Sequence, residues 1–194
     1  MRSLIIAKTI LAGAGAILVS GCLMSEEPIL GQANGAATPM KPGAYIMCPL
    51  DETPDDDDCE KFTVSHDASG LYLFEKEDEK PSRFRFRKIA RRGYAVQSIE
   101  DDDDGYMYYY GRRARKKFQL TMMMCPQLPA GLRDDLIASG DLSSEDEEFE
   151  MCVVNTLNGL MAAAKAYHRG EASIDEVDGE TMTLEFTPDP NAAK

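Results

Sequence analysis

Arg83-Phe84-Arg85-Phe86-Arg87 alternates ring and guanidinium without a break. Successive side chains on a strand point to opposite faces, so the two phenylalanines share one face and the three arginines the other. One sheet face is therefore apolar and needs cover. Outward from this strand the pattern continues. After Arg92-Gly93, residues 94–99 read as a strand. Residues 106–110, with four tyrosines, suit a pleated surface, and 118–124 return after the basic run at 112–117. On the N-terminal side, 62–65 and 71–74 form a hairpin about His66-Asp67-Ala68-Ser69-Gly70, and 45–48 is a short strand. Residues 62–125 thus predict an antiparallel meander of five or six strands.

The C-terminal third predicts helices. Residues 132–138 fit a short helix stopped at Gly140, and 141–150 an acidic loop. Asn155 or Thr156 caps a second helix. Leu157, Leu160, Met161, Ala164, Tyr167 and His168 recur along one face of it, and Gly170 ends it. Asp178-Gly179 turns the chain into a last strand over 181–186, with Met182, Leu184 and Phe186 inward. The expected fold class is α+β: a twisted antiparallel meander with one main amphipathic helix on one face.

The first 22 residues have a different character. Arg2 and Lys8 precede an apolar run over 10–19, too short to span a bilayer, which takes about 20 residues. Val19-Ser20-Gly21-Cys22 follows and resembles the lipobox of bacterial lipoproteins. That resemblance covers residues 1–22 only. It implies cleavage before Cys22, acylation of Cys22 by chains such as palmitate, and, with Leu23 rather than Asp next, an outer-membrane protein facing the periplasm. The expected organisation is a signal peptide at 1–21, a lipidated tether at 22–43, one domain at 44–188 and a disordered tail at 189–194. Gly31, Asn34, Gly35, Pro39, Pro42 and Gly43 motivate the tether.

Without Arg2 and Lys8 the chain keeps 19 cations against 34 acids, a net charge of −15, which argues against nucleic acid as a partner. Four further cysteines suit an oxidising compartment. Pairing of sequence neighbours, Cys48 with Cys59 and Cys125 with Cys152, is the favoured expectation. Free thiols and a four-cysteine zinc site are the alternatives, and zinc is disfavoured because no close cysteine pair is present.

No motif for catalysis or a cofactor emerges. Ser65-His66-Asp67 are chain neighbours and point different ways, and His168 suits the end of a helix. Asp101-Asp102-Asp103-Asp104-Gly105 lacks the acid that a calcium loop needs at its twelfth position, where Gly111 stands. No metal and no cofactor is expected. The cations are uneven: eleven of the 19 lie in residues 83–117. Arg83, Arg85, Arg87, Arg112, Arg113 and Arg115 form the candidate binding face for an anionic envelope component or an envelope protein. The simpler reading is a solvated face balanced by the acidic loops. The expected function is a non-enzymatic binding module held to the membrane by its N-terminal lipid. An envelope enzyme or inhibitor acting on the cell wall, and a purely structural lipoprotein, are the alternatives.

Overall fold

The computed structural model describes residues 21–50, 58–99, 105–146, 151–173 and 183–192. Its elements in chain order are β1 (Leu23–Ser25), β2 (Gly43–Pro49), β3 (Glu60–His66), β4 (Tyr72–Glu75), β5 (Ser82–Ala90), β6 (Gly93–Ile99), β7 (Tyr106–Ala114), β8 (Lys117–Met122), α1 (Ala130–Ala138), β9 (Leu142–Asp146), β10 (Met151–Val154), α2 (Leu157–Arg169) and β11 (Thr183–Pro188).

Strands β2 to β8 pair each with the next, all antiparallel. β11 then lies between β8 and β2, with Phe186 level with Phe118 on one side and Met47 on the other. The ring is closed, and the expected α+β class is wrong. The molecule is mainly β: an eight-stranded antiparallel barrel with three extra strands and two short helices. Local alternation reveals each strand, whereas closure depends on one strand near the C-terminus joining the first and last strands of the meander. Closure also removes the exposed edges an open meander would have.

The barrel interior is the face on which Phe84 and Phe86 lie. It is filled by Val64, Tyr72, Phe74, Phe86, Val96, Phe118, Leu120 and Phe186. Tyr72 and Phe86 meet edge to face at 4.7 Å, and Phe74 meets Phe186 at 5.3 Å. Burying one such ring contributes about 2–3 kcal/mol, so the aromatic residues dominate the packing. An eight-stranded barrel is just wide enough for side chains to fill. Its outer face carries Lys61, Arg83, Arg85, Arg87, Gln119 and Glu185. An apolar inside and a charged outside invert the pattern of a membrane-spanning barrel.

A second core lies outside the wall of β6 and β7, where Ala95, Tyr108 and Tyr110 meet Leu160, Ala163, Ala164 and Tyr167 of α2. Thr156 caps α2 by accepting from the Gly159 amide, and Gly170 ends it in the left-handed region at φ 72°. β7 changes partner along its length. Residues 109–114 pair with β8, while Met107 and Tyr106 pair with Met24 and Ser25 of β1. β10 joins β1 in parallel and β9 joins β10, making a three-stranded extension. β9 falls at the start of the expected acidic loop, a stretch too polar to show an alternating apolar signal. The Cys48–Cys59 and Cys125–Cys152 disulfides are both present, and the second ties the chain after β8 to β10.

Residues 22–43 are not a free tether. Leu23 is fully buried in β1, Leu30 is buried in the outer core, and Met40 is buried at one mouth of the barrel. Between them the chain fills a seam in the wall. The Ala37 amide donates to the Phe86 carbonyl at 2.9 Å, where short β4 no longer reaches β5. Ala36 passes so close to Gly70 (φ +75°) that a Cβ there would lie 2.7 Å from its Cα. The folded unit therefore starts well before residue 44. The glycines and prolines that suggested a tether instead shape a strap that crosses the seam. At the other end, Asp189 donates its amide to the Ala44 carbonyl, which ties the chain just past β11 to β2. The tetra-aspartate turn at 101–104, Asp178-Gly179 and Met182 lie outside the described residues.

Candidate functional site

In an antiparallel meander, alternate turns fall at the same end. The β5–β6 turn is Arg91-Arg92, and the β7–β8 turn is Arg115-Lys116. Both lie at the end where β2 begins and β11 finishes, so the cations gather on one rim. Lys88, Arg112, Arg113 and Lys117 flank these turns, and Lys41 joins them from the strap. All nine are exposed. Lys117 pairs with Glu185. Among the described residues, none of the other eight forms an ion pair. Asp67, also at this end, is turned to local work: the Ser69 hydroxyl and the Leu71 amide hold its carboxyl below the usual range.

The opposite rim is acidic, carrying Asp58, Glu60, Glu75, Glu77, Asp78 and Glu79, with Lys76 bridging Glu60 and Glu79 at 2.7 Å each. The barrel is therefore polarised along its axis. Such a field concentrates anions at the basic rim.

Two rim arginines occupy unfavourable backbone. Arg92 has φ +69° and Arg115 has φ +54°. Left-handed backbone costs an L-residue other than Gly, Asn or Asp roughly 1–2 kcal/mol. Non-glycine residues in this region concentrate at ligand sites, where strain is tolerated for placement. Asp78 is the third such residue and suits the region better.

The rim encloses concave surface. One hollow of about 300 Å³ has Met40, Tyr45 and Phe118 as its floor, with Lys41, Arg113, Arg115, Lys116 and Lys117 above. The phenol of Tyr45 donates to the Lys41 carbonyl at 3.0 Å. Burial raises its pKa, partly countered by that bond and by the Arg113 charge. A second groove of about 660 Å³ follows the outside of the β7–β8 turn between Arg92 and Lys117. Tyr94 and Lys88 open a third hollow toward Arg113.

The six arginines expected to form one face are divided by the fold. Arg112, Arg113 and Arg115 are exposed at the rim. Arg83, Arg85 and Arg87 are half-buried along the outer wall of β5. There Arg87 donates to the Asn34 carbonyl at 2.8 Å and Arg85 to the Ser69 carbonyl at 3.2 Å. These two clamp the strap and the β3–β4 turn, so their charge serves the fold. The sequence places Lys88, Arg91, Arg92, Lys116 and Lys117 in the basic region but not among the six arginines of the candidate face, and it places Lys41 in the tether. The signal that finds most of them is the alternation of turns: basic pairs occupy every second connection after β4.

Cys22 lies at the other end. It bridges Met124, two residues beyond the end of β8, and its thiol donates to the Met122 sulfur at 3.1 Å. Burial pushes the thiol up to about 11. Tyr110 and His168 are 2.9 Å apart beside Gly93, in a contact that fixes the end of α2 against the wall. Among the described residues no group of three acidic, histidine or cysteine side chains is placed to hold a metal. Compared with known proteins, the chain matches no family model, no curated sequence and no solved structure.

Proposed function

We propose that this is a lipid-anchored binding module of the bacterial cell envelope, without catalytic chemistry, whose basic barrel mouth receives an anionic envelope component. One observation carries the binding part: eight exposed cations on one rim with no ion pair among the described residues, around concave surface, in a chain that is acidic overall. Charge that only needed solvation or internal balance would sit beside the acids; among the described residues the acidic cluster lies at the opposite rim, and Asp67 at the basic end is held by Ser69 and Leu71. The filled interior supports a rim site over a ligand inside the barrel.

The anchor rests on the lipobox-like residues 19–22 and the apolar run before them. Leu23 enters the sheet immediately, so an acylated Cys22 holds the barrel close to the bilayer. Cys22 is at the end opposite the basic mouth, so the mouth faces away from the anchoring leaflet and toward the periplasm. In the folded chain the sulfur is buried, and the Gly21 carbonyl accepts from the Cys125 amide at 2.6 Å. Acylation and cleavage therefore precede the folding of this corner.

The test of the anchor is labelling of growing cells with radioactive palmitate. The wild-type chain takes up label and sediments with membranes, and Cys22→Ser does neither. An unlabelled wild-type chain contradicts the anchor and leaves the mouth to be tested separately.

A further inference from the structure

We infer that the 300 Å³ hollow in the basic mouth takes a phosphate-bearing group joined to an apolar or planar body. The inference rests on the proposed reading of the rim and adds the chemical class of the ligand. The floor is Met40, Tyr45 and Phe118, all more than nine-tenths buried but facing the opening. A bare anion leaves such a floor uncovered, whereas a ring or short aliphatic body replaces water over it. Above the floor stand Arg113 and Arg115 from β7 and its turn, Lys116 beside them, and Lys41 from the strap. Guanidinium groups make paired hydrogen bonds with phosphate oxygens, and ammonium groups act as point charges. Cations approaching from two chain segments suit a tetrahedral group with three free oxygens better than a flat carboxylate. The hollow matches the lower end of small-ligand clefts, about 300 Å³. It holds one phosphorylated unit, and the outer groove between Arg92 and Lys117 is placed for further negative charge on a longer ligand.

The test is calorimetric titration of the purified full chain with inorganic phosphate and with phenyl phosphate at low salt. Phenyl phosphate is expected to bind at least tenfold more tightly, and Arg113→Ala, at an exposed position, to weaken both at least tenfold with an unchanged melting temperature. Equal affinity for the two anions overturns the hollow as the site and leaves the basic rim standing. Absence of binding by either anion overturns both. Glycerol 3-phosphate and vesicles containing phosphatidic acid, both phosphate monoesters, separate the sources of the phosphate. Competition with phenyl phosphate by glycerol 3-phosphate assigns a soluble or polymer-borne ester, and competition by vesicles alone assigns a lipid headgroup. Competition by neither overturns the inference.

Discussion

The amide of Leu23 donates to the carbonyl of Met123 across 2.9 Å, so the residue immediately after Cys22 is already part of the sheet. Leu23 and Leu30 are at most 1 % exposed, and burial of each contributes about 1.5–3 kcal/mol. A chain starting at residue 40 loses both, together with the seam contact of Ala37. We expect it to be at least about 3 kcal/mol less stable than a chain starting at residue 22, on the same burial arithmetic. Urea unfolding of the two measures this. Equal stabilities would return residues 22–39 to the role of a tether.

Gly111 faces inward on β7, where an added Cβ would lie 2.6 Å from the Phe118 ring and 3.0 Å from Val96. Both neighbours are locked in the barrel core. Gly111→Ala should cost about 1–3 kcal/mol through overpacking. Thermal unfolding of the variant checks it, and an unchanged melting temperature would mean that the interior is looser than described.

Arg92→Gly and Arg115→Gly should separate stability from binding. Each relieves a left-handed arginine, partly offset by the greater chain entropy of glycine. Neither variant is expected to lower stability, and the gain in each should be at most about 1 kcal/mol. Anion affinity should fall in both. A clear loss of stability would show that these side chains hold the fold.

Alkaline pH should destabilise the protein. Burial holds the phenols of Tyr72 and Tyr108 up to about 12. The ordinary value is 10.0, so the unfolded chain loses these protons first. Stability is full below pH 10 and falls as pH rises through 10 to 12. Absorbance at the phenolate band, followed beside circular dichroism, should show these tyrosines ionising only as the fold is lost. Their early ionisation in the folded protein would contradict the burial.

Much of the wall was legible in the sequence. The alternation at 83–87 places β5 and its inward rings, residues 94–99 and 106–110 fall within β6 and β7, and the spacing of the helical residues gives α2 its face. Both disulfides join the expected neighbours. Several things were not legible, the strap over 22–43 and β10 among them. Closure depends on β11 pairing with β2 and β8, and no local pattern encodes a partner so distant in sequence. β1 has only three residues, too few to show a period. β9 is largely serine and acid and owes its strand to pairing with β10. The site was half legible. A count of cations found the basic region on strands and turns, but grouped the β5 arginines with the rim arginines that the fold sets apart from them. Arg85 and Arg87 resemble Arg113 in sequence and differ in what lies above them: a strap of the same chain in one case, open solvent in the other.

The most direct test of the basic mouth is titration with pyrophosphate of three full chains: wild type, Arg113→Ala/Arg115→Ala/Lys116→Ala, and Arg83→Ala/Arg85→Ala/Arg87→Ala. The account predicts that the mouth variant keeps its melting temperature and loses at least tenfold in affinity. The β5 variant should lose melting temperature and, where still folded, bind as the wild type does. Wild-type affinity in the mouth variant, or loss of binding in a fully folded β5 variant, would contradict it.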